Sequence, residues 1–136
     1  MGRRNLLTLP PESSTFTDAQ TGVPIRQVTN HPSIHHHPFY YLPCMDDAMT
    51  RLFFVSHRSG EPEIWCEVRA SGELQQLTAH PGLAEWSVHP AHEGRHVYFT
   101  DTVGGWRVDV EDGHEECLFR FPAGAGREKG LVGAAM

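Results

Sequence analysis

Short apolar runs alternate with turn-forming groups along the chain, and no segment carries the 3.6-residue spacing of an amphipathic helix. Arg51-Leu52-Phe53-Phe54-Val55-Ser56 is apolar at successive positions, the pattern of a strand buried on both faces. Glu63 to Val68 and Leu74 to Thr78 read as the next two strands, separated by glycine-bearing turns at 58–62 and 70–72. Further on, Leu83 to His89, His96 to Thr100, Trp106 to Val110 and Glu115 to Phe119 read as four more, with turns at His92-Glu93-Gly94, Gly104-Gly105 and Glu111-Asp112-Gly113. Upstream, Thr15 to Asp18 and Ile25 to Thr29 flank a Thr21-Gly22 turn.

A repeat orders these runs. Gln27-Val28-Thr29-Asn30-His31-Pro32 returns almost letter for letter as Gln76-Leu77-Thr78-Ala79-His80-Pro81, and Trp65 is matched by Trp106. Periods of about 40–50 residues with four short strands each are the mark of propeller blades. The expected fold is therefore all-β: propeller repeats comprising about two four-stranded blades plus the start of a third. Blade one is placed at about 38–78, opening on Phe39-Tyr40-Tyr41-Leu42, and blade two at about 83–119. A truncated third blade is placed from about 130, where Leu131 to Met136 reads as another strand opening. Residues 1–13, with Pro10 and Pro11, read as a flexible leader to a propeller portion at 14–136. Propellers need about four blades or more to close, so a chain of 136 residues is expected to be an incomplete ring or to close with partners.

Composition narrows the possible roles. A formal net charge of −6 argues against general nucleic-acid binding. Lys129 is the single lysine among eleven basic residues, and the arginines suit either carboxylate recognition or a plain charged surface. Cys44, Cys66 and Cys117 form no C-x-x-C pair, and the first two, inside apolar runs, read as small buried hydrophobes. The N-terminal apolar run is too short for a secretory signal, and no run reaches transmembrane length. A soluble cytoplasmic protein without membrane partners is the resulting expectation.

Candidate chemistry centres on His35-His36-His37. In an extended segment His35 and His37 point one way and His36 the other; the run lies just before the first strand of blade one, where it either faces a channel pocket or forms an exposed polar loop. A His-x-His pair is a usable metal geometry, but a site needs three or four ligands, and spacing supplies no third. His31 and His80 belong to the repeat and read as turn-stabilising. His57, His89, His92, His96 and His114 receive no role. Asp46-Asp47 and Glu115-Glu116 read as solvated pairs rather than acid/base couples. Trp86 is either a core residue or a stacking surface for a sugar ring. The hydrolase, zinc-protease and phosphate-loop signatures are absent.

The order of Asp18-Ala19-Gln20-Thr21-Gly22, Val28-Thr29, His36 ahead of an aromatic run ending at Tyr41, Cys44 and Leu52-Phe53-Phe54 resembles the N-terminal part of oligogalacturonide lyases. The repeats are also similar to TolB-type propeller repeats. The resemblance covers roughly residues 15–120 and implies a seven-bladed propeller enzyme, a carbon–oxygen lyase of pectin breakdown that cleaves short oligogalacturonates by β-elimination. It implies Mn2+ held mainly by histidines and a histidine base, all from later blades beyond Met136. No catalytic or metal residue is thereby assigned in this chain, which is expected to be inactive alone. His36 matches the family's histidine–aromatic segment, while His37 stands where the family can have arginine. His36, His37 and Arg58 are the expected contributions to substrate binding. The alternative is a non-catalytic TolB-like propeller fragment that binds protein partners.

Overall fold

The computed structural model describes residues 6–122. Eleven strands make two larger sheets and one hairpin among these residues, all antiparallel. They are β1 (Thr8–Leu9), β2 (Ser14–Thr17), β3 (Pro24–Gln27), β4 (His35–His36), β5 (Arg51–Ser56), β6 (Glu63–Val68), β7 (Leu74–Gln76), β8 (His89–Pro90), β9 (His96–Thr100), β10 (Gly104–Asp109) and β11 (Glu115–Arg120). The first sheet runs β1-β7-β6-β5-β4 and the second β11-β10-β9-β8. These are the two predicted blades, and β2 with β3 is the predicted N-terminal hairpin. Among the described residues no helix is long and apolar enough to cross a membrane.

The unbroken apolar run of β5 is explained by packing on both sides of its sheet. Phe53 and Val55 point to one face and join Ile64, Cys66, Leu77, Leu83, Val88, Val97, Phe99, Val108 and Val110 in a core shared by the two sheets. Phe54 points to the other face, where it meets Trp65 and Leu74 under Leu9, Val28 and Leu52. That second face is covered by the N-terminal segment. Arg26 of β3 grips both oxygens of the fully buried Glu67 of β6. Burying an ionised carboxylate is tolerable only with such a bidentate partner.

Several placements differ from the sequence reading. Residues 1–13 are not wholly a flexible leader: β1 adds to the outer edge of the first sheet, Thr8 opposite Gln75 and Leu9 opposite Leu74. Phe39 to Leu42 is a turn rather than blade one's first strand, and that place is taken by His35–His36, paired with Ser56 and Val55. Aromatic β-propensity misleads there, because propensity records a fit to a half-buried pleat that this segment does not line. The predicted strand at 83–89 is instead a 3-10 turn, Glu85–Ser87, followed by the two-residue β8. Cys44 lies in a loop rather than in a strand, half-buried, its carbonyl accepting from the Phe53 amide. The expected third blade lies outside the described residues. Gly104 and Gly105, read as a turn, instead open β10; opposite them β11 carries one extra residue, Leu118, and a side chain at Gly104 would strike the Phe119 carbonyl, so this irregular pairing needs glycine there.

The two copies of the repeated motif have diverged in use. His31 is exposed and bonds Ser33. His80 is buried between the sheets, its Nε2 2.7 Å from Asp101 and its Nδ1 2.7 Å from Glu115. Its backbone amide donates to Glu63 of the first sheet, so one residue joins both. Glu115 is thus an internal ion-pair partner rather than a solvated charge. Asp46, also read as solvated, is buried and accepts from the amides of Thr50 and Arg51.

Burial works to lower the His80 pKa, but hydrogen bonds and charge from Glu115 and Asp101 outweigh it and raise it above 6.5. A group whose folded pKa is raised contributes its full stability below the unfolded value and loses it as pH rises through the folded one. Urea unfolding should therefore show stability falling above pH 6.5. His80→Gln should lower unfolding free energy by about 3 kcal/mol at pH 6 and remove that alkaline decline; an unchanged pH profile would show that His80 is not the latch.

Candidate functional site at the seam between the sheets

Backbone alternation in β4 separates the histidine run. His35 turns towards His31 and Phe54, with Nε2 bonding the His31 carbonyl, and burial lowers its pKa. His36 turns the other way, to the second sheet. Its ring stacks on Trp86 at 4.2 Å between centroids and 24° between planes. Its Nδ1 lies 2.9 Å from the His37 carbonyl, and its Nε2 lies 2.7 Å from Glu85 Oε1. His57, just after β5, donates its backbone amide to the Ile34 carbonyl and places Nε2 2.8 Å from the same Glu85 oxygen.

Glu85 and Trp86 are positioned by the 3-10 turn. The Ala84 amide donates to the Thr100 carbonyl, and the Thr100 amide donates to Ser87 Oγ, which ties the turn to the end of β9. Burial works to raise the Glu85 pKa, but hydrogen bonds from His57 and His36 together hold its carboxyl below the usual range. Their side chains are 16%, 25% and 31% exposed for His36, His57 and Glu85, a rim reached by solvent rather than a sealed core. Trp86 is 54% exposed, so of its two readings the core one is overturned. Phe39 packs edge-on to Trp86 at 6.3 Å and carries Tyr40 and Tyr41, both well exposed, on its flanks.

The repeat explains this meeting. The offset that carries Gln27 to Gln76 also carries His36 to Glu85 and His37 to Trp86. Equivalent positions of neighbouring blades touch only where the blades converge, near the axis about which they are arranged. That offset was the signal in the sequence for Glu85. His57 had none beyond its place one residue past β5.

Of the three expected binding residues, His36 is at the centre of this cluster. His37 is exposed beside it, its Nδ1 bonded to the Pro38 carbonyl. Arg58 is committed elsewhere: Nη1 and Nη2 grip both oxygens of Glu12, Nε donates to Ser56, and the guanidinium lies 4.9 Å over Trp65. Only 5% exposed, it fastens the N-terminal segment. The His35/His37 pair does not form a metal geometry. Among the described residues the group with metal-ligand spacing is His36, His57 and Glu85, whose donor atoms all lie within 4.8 Å of one another.

No protein-family model matches the chain, and no curated protein matches it in sequence. Solved structures do. An oligogalacturonate lyase from Vibrio parahaemolyticus superposes with a TM-score of 0.78 at 19% identity, over 85% of this chain and 31% of that one. An oligogalacturonate lyase in complex with manganese gives 0.80 at 19% identity, over 90% and 32%. TolB from Acinetobacter baumannii gives 0.57 at 16% identity, over 81% and 27%. The fold is that of β-propeller blades. The chain spans about a third of the length of the lyase structures it matches, and β4 and β8 take the place of the innermost strands of two adjacent blades.

The Arg58–Glu12 clamp is open to a direct check. The Arg58 side chain holds the Glu12 pKa at about 2, so the pair stabilises fully above pH 4.5 and is lost as pH falls towards 2. Glu12→Gln should cost about 1–2 kcal/mol at neutral pH and flatten the acid limb of urea stability, and it should leave binding at the His36–Trp86 rim unchanged.

Proposed function

We propose that this chain forms the first two blades of an oligogalacturonate lyase-like propeller and contributes one wall of its sugar-binding channel. The observation that carries this reading is the His36–Trp86 stack at the inner end of the blades, in a fold that follows an oligogalacturonate lyase over 90% of the chain. An exposed indole with Phe39 packed edge-on offers the flat apolar surface on which a pyranose ring packs. His37, exposed beside it, is within the same rim for the sugar's polar groups.

β-Elimination from a uronate needs a base for the proton beside the carboxylate, and positive charge to stabilise the enolate-like intermediate. Manganese, present in one of the similar structures, supplies such charge at a carboxylate when bound. In this reading its ligands and the base come from later blades, and the described residues bind and orient substrate. Arg58 has no part in it, because Glu12 occupies its guanidinium. A cytoplasmic location and an oligogalacturonate substrate go with this reading, with no role for nucleic acid or membrane.

The test is to titrate the chain with trigalacturonate while following tryptophan fluorescence, then to join the chain to the remaining blades and assay unsaturated uronate release with manganese. Binding that Trp86→Ala abolishes is expected, with no product from the chain alone. The joined ring should release product, and Trp86→Ala should lower its kcat/KM about tenfold, a loss of roughly 1.4 kcal/mol in transition-state stabilisation. A folded, metal-loaded ring that neither binds nor cleaves would favour a non-catalytic, TolB-like interaction role.

A further inference from the structure

We infer that His36, His57 and Glu85 form a binding site for a single divalent transition-metal ion of the zinc type, built across the seam between the two blades. The donor set is two imidazoles and one carboxylate, the combination used where zinc keeps an open position. The three come from separate places: β4, the residue just after β5, and the 3-10 turn. All three converge through the correct atoms, the two Nε2 atoms and Oε1.

Hydrogen-bond accounting supports an ion at this point. The His37 carbonyl can only accept, so the His36 proton sits on Nδ1 and Nε2 is free to act as a ligand. A ring nitrogen fixed by donation to a carbonyl is the usual second support of a metal-bound histidine. The plane of the His36 ring is also set by the Trp86 stack. Both Nε2 atoms approach one carboxylate oxygen, at 2.7 and 2.8 Å, so each contact is bridged either by a ring hydrogen or by a metal ion. Around a tetrahedral ion with Zn–N near 2.0–2.1 Å, ligand atoms are about 3.3 Å apart. The two contacts would open by about half an ångström, a shift that partly exposed side chains on a turn and strand ends allow.

Two neutral imidazoles and one carboxylate leave a divalent ion with net positive charge and at least one coordination position for water or an anionic ligand. Exposure of Trp86 and partial exposure of Glu85 leave that position open to solvent. Because the ligands come from both blades, binding would also pin the blades together, and metal should stabilise the fold. This inference rests on the three side chains and is independent of the lyase reading.

The experiment strips the full chain with EDTA, then titrates it with zinc chloride alone by calorimetry and with cobalt chloride by visible absorption. The expected result is one site per chain, a tetrahedral cobalt spectrum displaced by zinc, and a rise in melting temperature on zinc addition. His36→Asn, His57→Asn and Glu85→Gln should each weaken binding by about 100-fold, at or beyond the 10–100-fold that even second-support residues cost, while His35→Asn and His92→Asn should not. Far-ultraviolet circular dichroism reads the fold of each variant. Should His36→Asn unfold the chain, His57→Asn, outside the strand ladder, decides the matter. Absence of zinc binding, or binding that survives His57→Asn and Glu85→Gln, would overturn the site and leave the cluster as a hydrogen-bonded histidine–carboxylate network. Neither outcome bears on trigalacturonate binding at Trp86, so the two readings fail separately.

Discussion

Phe53, Val55, Ile64 and Cys66 from one sheet press against Val97, Phe99, Val108 and Val110 from the other, and the rest of the structure follows from that contact. A four- or five-stranded sheet whose strands are apolar on both faces has to be covered on both. Here the second sheet covers one face and the N-terminal segment covers the other, through Leu9, Val28 and the Arg26–Glu67 pair. Such stacking buries a continuous core that no single repeat could build alone.

Polar groups decide how the stacked sheets are registered. Hydrophobic contact is non-directional, so sliding one sheet over the other would cost little by itself. His80 prevents it. Its amide is fastened to Glu63 in the first sheet and its ring to Asp101 and Glu115 in the second, in a setting where an unmatched charge is expensive. Asp101 in turn accepts from the amides of Val103 and Gly104, so the latch also shapes the turn that leads into β10.

With the register set, the inner ends of the sheets meet in a defined way. β4 brings His36, β5 leads into His57, and the 3-10 turn presents Glu85 and Trp86. The cluster joins hydrogen-bonded polar groups to an exposed indole face, the combination found at small-molecule sites. Its polar half and its aromatic half are separable in chemistry: the first offers ligand atoms, the second a stacking surface.

How much of this was legible beforehand differs between core and site. The strand character of 51–56, 63–68, 96–100 and 115–119 and the blade repeat were determined by sequence alone. Each is a local signal: side-chain periodicity, turn chemistry at glycine, or a repeated motif. The use of Thr8–Leu9 as an added strand was decided by an unpaired sheet edge that no local pattern reveals. Arg58 looked like a free carboxylate receptor until packing gave it to Glu12, far away along the chain. Phe39 to Leu42 had strand propensity but became the rim of the site, since β4 had already taken the inner edge. Glu85 became a partner of His36 only because two blades converge, and His57 because β5 pairs with β4, both relations between distant residues. Periodicity reports which face of an element is buried, whereas the contact of two buried sheets decides which side chains meet at their ends.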